Sequence, residues 1–251
     1  TISEFLQNSL SSGDTISIYG EIISVQALDQ WRAQLYNFAI NTSDDLFTST
    51  WIDRPKLPNS PCYSYDDKYA GESVKSKLRR IREVLPQNTA LLVSALDEIA
   101  WTLNIRGNEI QNNPVVISYL LIDQNQCQLF IDSAKINTEV AKHLNDNNIS
   151  TLKYSELFNT LTTLRVNSLQ FDPKTTNAKA ELSINPKTYK KPTESPIPLF
   201  KAIRNEVEIK NLKSAMVKDG IALVKFLIWL EENISSEKVT EIAISDKLYE
   251  L

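Results

Sequence analysis

Asp97 and Glu98 stand side by side, and paired carboxylates suit general acid–base work or the binding of a hard cation. Neighbours in sequence point apart on a helix, however. An acid that follows a strand-like run and precedes Ile99 and Leu103 reads as a helix N-cap, so capping by Asp97 is the expectation. His143 is the only histidine, and a Ser/His relay or a multi-histidine metal site would have to rest on it alone. Its neighbours Glu139, Lys142 and Asn145 predict an exposed helix face and a solvated ring. Cys62 and Cys127 are isolated, without the paired spacing of a zinc or redox motif. They read as free, buried or half-buried thiols of a reducing compartment, with a disulfide between them left open. Arg106-Gly107 reads as a helix close, the glycine supplying a left-handed cap and the arginine facing the negative end.

These residues need elements to hold them. Residues 2–10, 15–19 and 22–38 read as helix, strand and helix, the last from Ile22, Val25, Leu28, Leu35 and Phe38 at helical spacing. Pro55, Pro58 and Pro61 stiffen residues 51–61 into a linker. Beyond it Val74, Leu78, Ile81 and Leu85 form one helix face, opposed by Lys75, Lys77, Arg79, Arg80 and Arg82. That basic cluster is expected to be a solvated face and not a nucleic-acid contact. Strand candidates follow at residues 90–95, 115–122, 127–132, 150–154 and 168–171, with a hairpin turn at 123–126 and covering helices at 136–144 and 155–164. Residues 173–198 carry five prolines and read, in their later half, as a connector. A helix then opens at Asn205, with Glu208 three residues on as a capping box and Ile209, Leu212, Met216, Leu223, Leu227 and Leu230 along its apolar face. Another starts at Thr240. The fold class that results is α/β, a mixed sheet with flanking helices.

With 42% hydrophobic residues and 23% charged, the 251-residue chain has ample material for a packed core. A net charge of −4 gives no global attraction to phosphate backbones or anionic headgroups, so nucleic acid and membrane are not expected partners. The most apolar stretch, residues 221–230, is interrupted by Lys225 and falls well short of the roughly 20 residues a bilayer crossing needs. Thr1 is no initiator and residues 1–10 lack the regions of a signal peptide, so the reading places Thr1 partway along a longer chain.

Four segments at fixed spacing then become informative: Leu96-Asp97-Glu98-Ile99-Ala100-Trp101, Asn104-Ile105-Arg106-Gly107, Asn113-Pro114-Val115 and Ser118-Tyr119. Together they resemble the middle-domain signature of cytosolic Xaa-Pro aminopeptidases. Trp51 with Asp53-Arg54-Pro55, Tyr69-Ala70-Gly71-Glu72, and Asp219-Gly220-Ile221-Ala222-Leu223 with Phe226 and Trp229 are similar to flanking parts of the same family.

The resemblance implies creatinase N-terminal-type architecture. Residues 1–50 would be the C-terminal part of a first such domain, 51–61 a linker, 62–195 a complete second α/β domain, and 196–251 the start of a truncated pita-bread catalytic domain. It further implies a cytoplasmic, homodimeric parent metallopeptidase that removes the residue preceding proline from the N-terminus of peptides. Two manganese-like divalent ions would serve the full-length enzyme, held on two Asp, one His and two Glu. Those ligands fall on no residue of this sequence. No catalytic, cofactor-binding or metal-ligating residue is therefore assigned, and the chain alone is expected to be inactive. The alternative is a non-catalytic peptidase-like binding module. Two departures stand out: Ala215-Met216 occupies the place of an alanine–histidine pair, methionine there fitting a core face, and Asp44-Asp45-Leu46-Phe47-Thr48 replaces a short apolar motif.

Overall fold

The computed structural model describes residues 1–235 and 239–251. At its centre lies Thr89–Val93, buried along its whole length. A run of this kind has no polar alternation and presents no wet face, so it must be covered on both sides. The two-residue period of a strand sends Leu91 and Val93 into one apolar cluster and Ala90 and Leu92 into the other. Removing each such leucine from water contributes about 1.5–3 kcal/mol.

Five partners complete a six-stranded sheet in the order Tyr189–Pro192, Ser168–Phe171, Thr89–Val93, Tyr119–Ile122, Cys127–Phe130, Ser150–Leu152. The first three run parallel, the central hairpin pairs antiparallel, and Ser150–Leu152 returns parallel to its neighbour. Helices Val74–Val84, Leu96–Leu103 and Thr138–Asp146 cover one face through Leu78, Ile81, Ile99, Leu103, Val140 and Leu144. Glu156–Thr163 and Ala178–Leu182 cover the other through Leu157, Leu161 and Ala180. This is the mixed α/β arrangement expected.

The helix Ile2–Ser9 precedes a small parallel pair, Thr15–Ser17 with Ala39–Asn41, and the helix Val25–Gln34 lies between those strands in sequence. Ser24 caps that helix, so it starts three residues later than its apolar spacing suggests. Backbone bonds from Val25 to Thr176 and from Ala178 to Ile23, each 2.9 Å, tie this segment to the end of the large sheet.

Residues 173–198 are more than a connector. They include Ala178–Leu182, capped by Asn177, and the strand Tyr189–Pro192, whose edge position tolerates a proline at its last residue. The strand expected at 115–122 begins only at Tyr119, because Val115 to Ser118 close a loop instead, with the Gly107 amide donating to the Pro114 carbonyl. A Cβ on Gly107 would lie 2.8 Å from the Val115 carbonyl oxygen, which explains glycine there.

The chain divides into two units, Thr1–Asp66 with Glu72–Ile203 and Asp67–Gly71 with Arg204–Leu251. In the second, Asn205 and Glu208 form the expected capping box of a 28-residue helix, Glu206–Asn233, and Thr240 caps Glu241–Glu250. Asn205 also donates to the Ala70 carbonyl at 2.8 Å. Gly71 is left-handed here (φ +68°), and any Cβ on it would collide with the Asn205 amide. Met216 is exposed, so the core packing expected of it is not what this chain shows, and Phe226 is the one buried side chain among the described residues of that helix.

Candidate functional site

The helix Leu96–Leu103 carries the two carboxylates singled out in the sequence. Its N-cap is Ala95, which has no side-chain acceptor, so Asp97 does not cap it. The extended run stops before Ser94, and the helix begins two residues earlier than the expected cap allows. Asp97 lies in the first turn instead, where a negative charge suits the helix dipole, and pairs with Lys201. Glu98 points the other way and is buried. Its carboxyl accepts a 2.6 Å hydrogen bond from the Ser195 hydroxyl. Burial pushes this carboxyl up to about 7, with Asp97 and Asp172 adding to the rise and the Ser195 bond and Lys201 opposing it. The adjacent acids thus face different surroundings and do not form a paired-carboxylate site.

Where this helix ends, a polar cluster gathers. Asn104 takes the left-handed conformation at the C-cap (φ +48°), the role expected of Gly107. Its Oδ1 accepts from Lys77 Nζ at 2.6 Å, and its Nδ2 donates to the Glu72 carbonyl at 2.9 Å. Lys77 is buried, donating also to the Trp101 carbonyl and lying 4.4 Å from that ring's centre. The solvated basic face was therefore the wrong reading for Lys77. It also fails for Arg82, which donates to the Asp123 and Gln126 carbonyls of the hairpin turn, and for Arg80, which lies over Trp101 and Phe200; Lys75 and Arg79 are the exposed members. Arg106 behaves as expected at the helix's negative end: Nη1 donates to the Ala100 and Ile105 carbonyls, and the guanidinium sits 4.4 Å from the Tyr65 ring centre.

His143 is not solvated. Nε2 lies 2.8 Å from the Leu103 carbonyl, and because a carbonyl only accepts, Nε2 carries the proton. The bond ties Thr138–Asp146 to the end of the signature helix, and among the described residues the ring belongs to no group of three or more possible metal ligands. Cys62 and Cys127 are free and buried, as expected.

The most chemically furnished hollow is a cleft of about 330 Å³ beside the end of Thr89–Val93. Glu21, Ser24, Ser94, Ser118, Tyr119, Tyr154, Thr175 and Asn177 supply its polar lining. The two tyrosine rings stack at 5.1 Å, and Asn177 Nδ2 donates to the Tyr119 hydroxyl at 2.6 Å. Burial raises both phenols above their ordinary range, so they stay neutral donors and acceptors. The lining carboxylate, Glu21, is held by the Tyr19 hydroxyl and Lys179, while Ser94 shares a hydrogen bond with the Thr176 hydroxyl and Ser118 donates to the Val116 carbonyl, so neither serine is bonded to a base. The arrangement suits the binding of polar groups. Sequence reasoning did not assemble it, since its walls come from segments more than 150 residues apart, Glu21 to Asn177. Among the described residues no group of three or more His, Cys, Asp or Glu is placed to hold a metal ion.

Three comparisons bear on what this scaffold is. Residues 53–208 match the family described as Creatinase/Prolidase N-terminal domain. The whole chain is 29% identical to "Aminopeptidase P2" of Arabidopsis thaliana, spanning 41% of that protein, and 99% of it is 32% identical to "Xaa-Pro aminopeptidase 1" of Dictyostelium discoideum, spanning 42%. The fold superposes with a TM-score of 0.85 and 25% identity on X-prolyl aminopeptidase from Caenorhabditis elegans, described as a cytosolic enzyme with a di-nuclear active site, covering 99% of this chain and 42% of that one.

Proposed function

Since the chain belongs to the creatinase/prolidase N-terminal domain family and its relatives are Xaa-Pro aminopeptidases, we propose that it is the non-catalytic portion of a metal-dependent Xaa-Pro aminopeptidase. In this reading the parent enzyme cleaves the bond before a proline at position two of a peptide. A pair of divalent ions, manganese or similar, would supply the Lewis-acid chemistry of that hydrolysis. The parent acts in the cytoplasm as a homodimer. This chain provides scaffold: the C-terminal part of a first creatinase N-terminal-type domain at residues 1–50, a second α/β domain at 62–195 and, from residue 196, the first helices of the catalytic domain.

The observation that carries the reading is correspondence along the chain's full length with relatives of which it spans only about two fifths. The helix Glu206–Asn233 supports it. Ile209, Leu212, Met216, Val217, Leu223 and Val224 of this helix are all exposed, and a broad apolar face left open on a helix is a surface that packs against further structure.

The test compares two proteins on one substrate. A longer product of the same gene, containing this chain, should release the first residue of an Xaa-Pro peptide, lose that activity to a chelator and regain it with Mn²⁺. The 251-residue chain alone should release none. Turnover by the chain alone, or a longer product that is inert with every divalent ion, overturns the proposal.

A further inference from the structure

Residues 195–202 lie against the signature helix through three kinds of contact. Ser195 donates to Glu98 and accepts from the Ile197 amide at 3.3 Å. Lys201 pairs with Asp97. Ile197 is buried in the apolar cluster with Phe200 packed against it, and Arg80 lies 4.8 Å from the Phe200 ring centre. Only the first of these holds a buried ionisable group. A carboxylate taken from water needs a cation or several donors, and Glu98 has one neutral hydroxyl.

The surrounding charges leave Glu98 in this state. Asp97 on its own helix and Asp172 past Ser168–Phe171 repel a negative charge there, and Lys201 is already engaged by Asp97. From the packed helix Val74–Val84, Arg80 pairs with Glu72 and Lys77 bonds to Trp101 and Asn104. From the short strand Ile105–Arg106, Arg106 turns back to the helix carbonyls. Thr89–Val93 and Tyr119–Ile122 bring no charge, and Glu194, next to Ser195, pairs with Lys174.

We propose that Glu98 and Ser195 form a proton-controlled latch, which keeps residues 195–202 seated on the helix Leu96–Leu103 while Glu98 is neutral and lets them lift when Glu98 ionises. Water reaching the carboxylate then replaces the hydroxyl, and the covering segment has to move for water to enter. The sign follows from the proton affinity. Seated, Glu98 titrates at about 7 instead of the ordinary 4.5, so the seated state binds more protons than the lifted one between those values. Seating is firmest below the ordinary carboxylate range, weakens as pH rises toward 7, and levels off above it.

Hydrogen exchange of the amides in residues 197–202, corrected for intrinsic rates, reads the latch directly in the 251-residue chain. Opening should increase roughly tenfold or more between pH 5.5 and 8 while Thr89–Val93 stays protected throughout. Glu98→Gln keeps an acceptor for Ser195 and cannot ionise, so its profile should be flat. Asp172→Asn removes a repelling charge and should move the midpoint to lower pH; this variant serves even if Glu98→Gln fails to fold. A flat profile in the unmodified chain, a slope that survives Glu98→Gln, or a midpoint unmoved by Asp172→Asn overturns the proposal.

Discussion

Lys135 Nζ lies 2.9 Å from the Glu109 carboxylate, and both side chains are all but sealed from solvent, at 3% and 0% exposure. The pair also shares a third partner: Glu109 accepts from the Ile117 amide and Lys135 donates to the Ile117 carbonyl. It therefore fastens the loop after Gly107 to the turn Ser133–Lys135. Truncating one member of such a pair strands the other charge in the interior, at a cost of about 3–5 kcal/mol. Glu109→Gln and Lys135→Met should each lose stability of that order in urea unfolding, and Glu109→Leu with Lys135→Met together should recover much of it. Single variants that unfold like the unmodified chain would show the pair to be inconsequential.

Asn104 combines two demands, a left-handed backbone and two side-chain bonds. Asn104→Gly meets the first and loses the second, and Asn104→Ala loses both. Left-handed strain for a residue with a Cβ is about 1–2 kcal/mol. Chemical denaturation should accordingly rank stability as asparagine, then glycine, then alanine. Alanine equal to or better than glycine would mean that the backbone relaxes out of the left-handed region.

These two sites also mark how far the sequence could be read. The capping box at Asn205 and Glu208, the strand Ser168–Phe171 and the hairpin into Cys127–Phe130 were legible because their determinants lie within a few residues of one another. The burial of Lys77, the anchoring of His143 and the seating of Ser195 were not. Their partners stand 24, 40 and 97 residues away, and nothing local distinguishes a lysine under a tryptophan from one in water. Asp97 misled for a related reason: acids are frequent both at the N-cap and in the first turn, and only backbone geometry separates the two positions.

Both thiols should be silent toward reagents. Burial raises Cys62, whose Sγ donates to the Lys135 carbonyl, and pushes Cys127 up to about 12. The thiolate is the reactive form, so at pH 8 neither should react appreciably with an aromatic disulfide reagent in the folded chain. Both should titrate in denaturant. Rapid native labelling would contradict the burial, and a denatured titre of zero would reveal the two joined as a disulfide.

Asp97 offers a choice between two magnitudes. A cap residue replaced by alanine costs about 1 kcal/mol, and asparagine caps as well as aspartate, so a capping role predicts that Asp97→Asn is harmless and Asp97→Ala is not. An ion pair with Lys201, about half exposed on the aspartate side, is worth under about 1 kcal/mol and vanishes equally in either variant. The structure favours the second pattern: similar small losses in melting for both substitutions at low salt. At 1 M salt, where screening acts within about 3 Å, the difference from the unmodified chain should shrink. A loss confined to alanine and indifferent to salt would restore the capping role to Asp97.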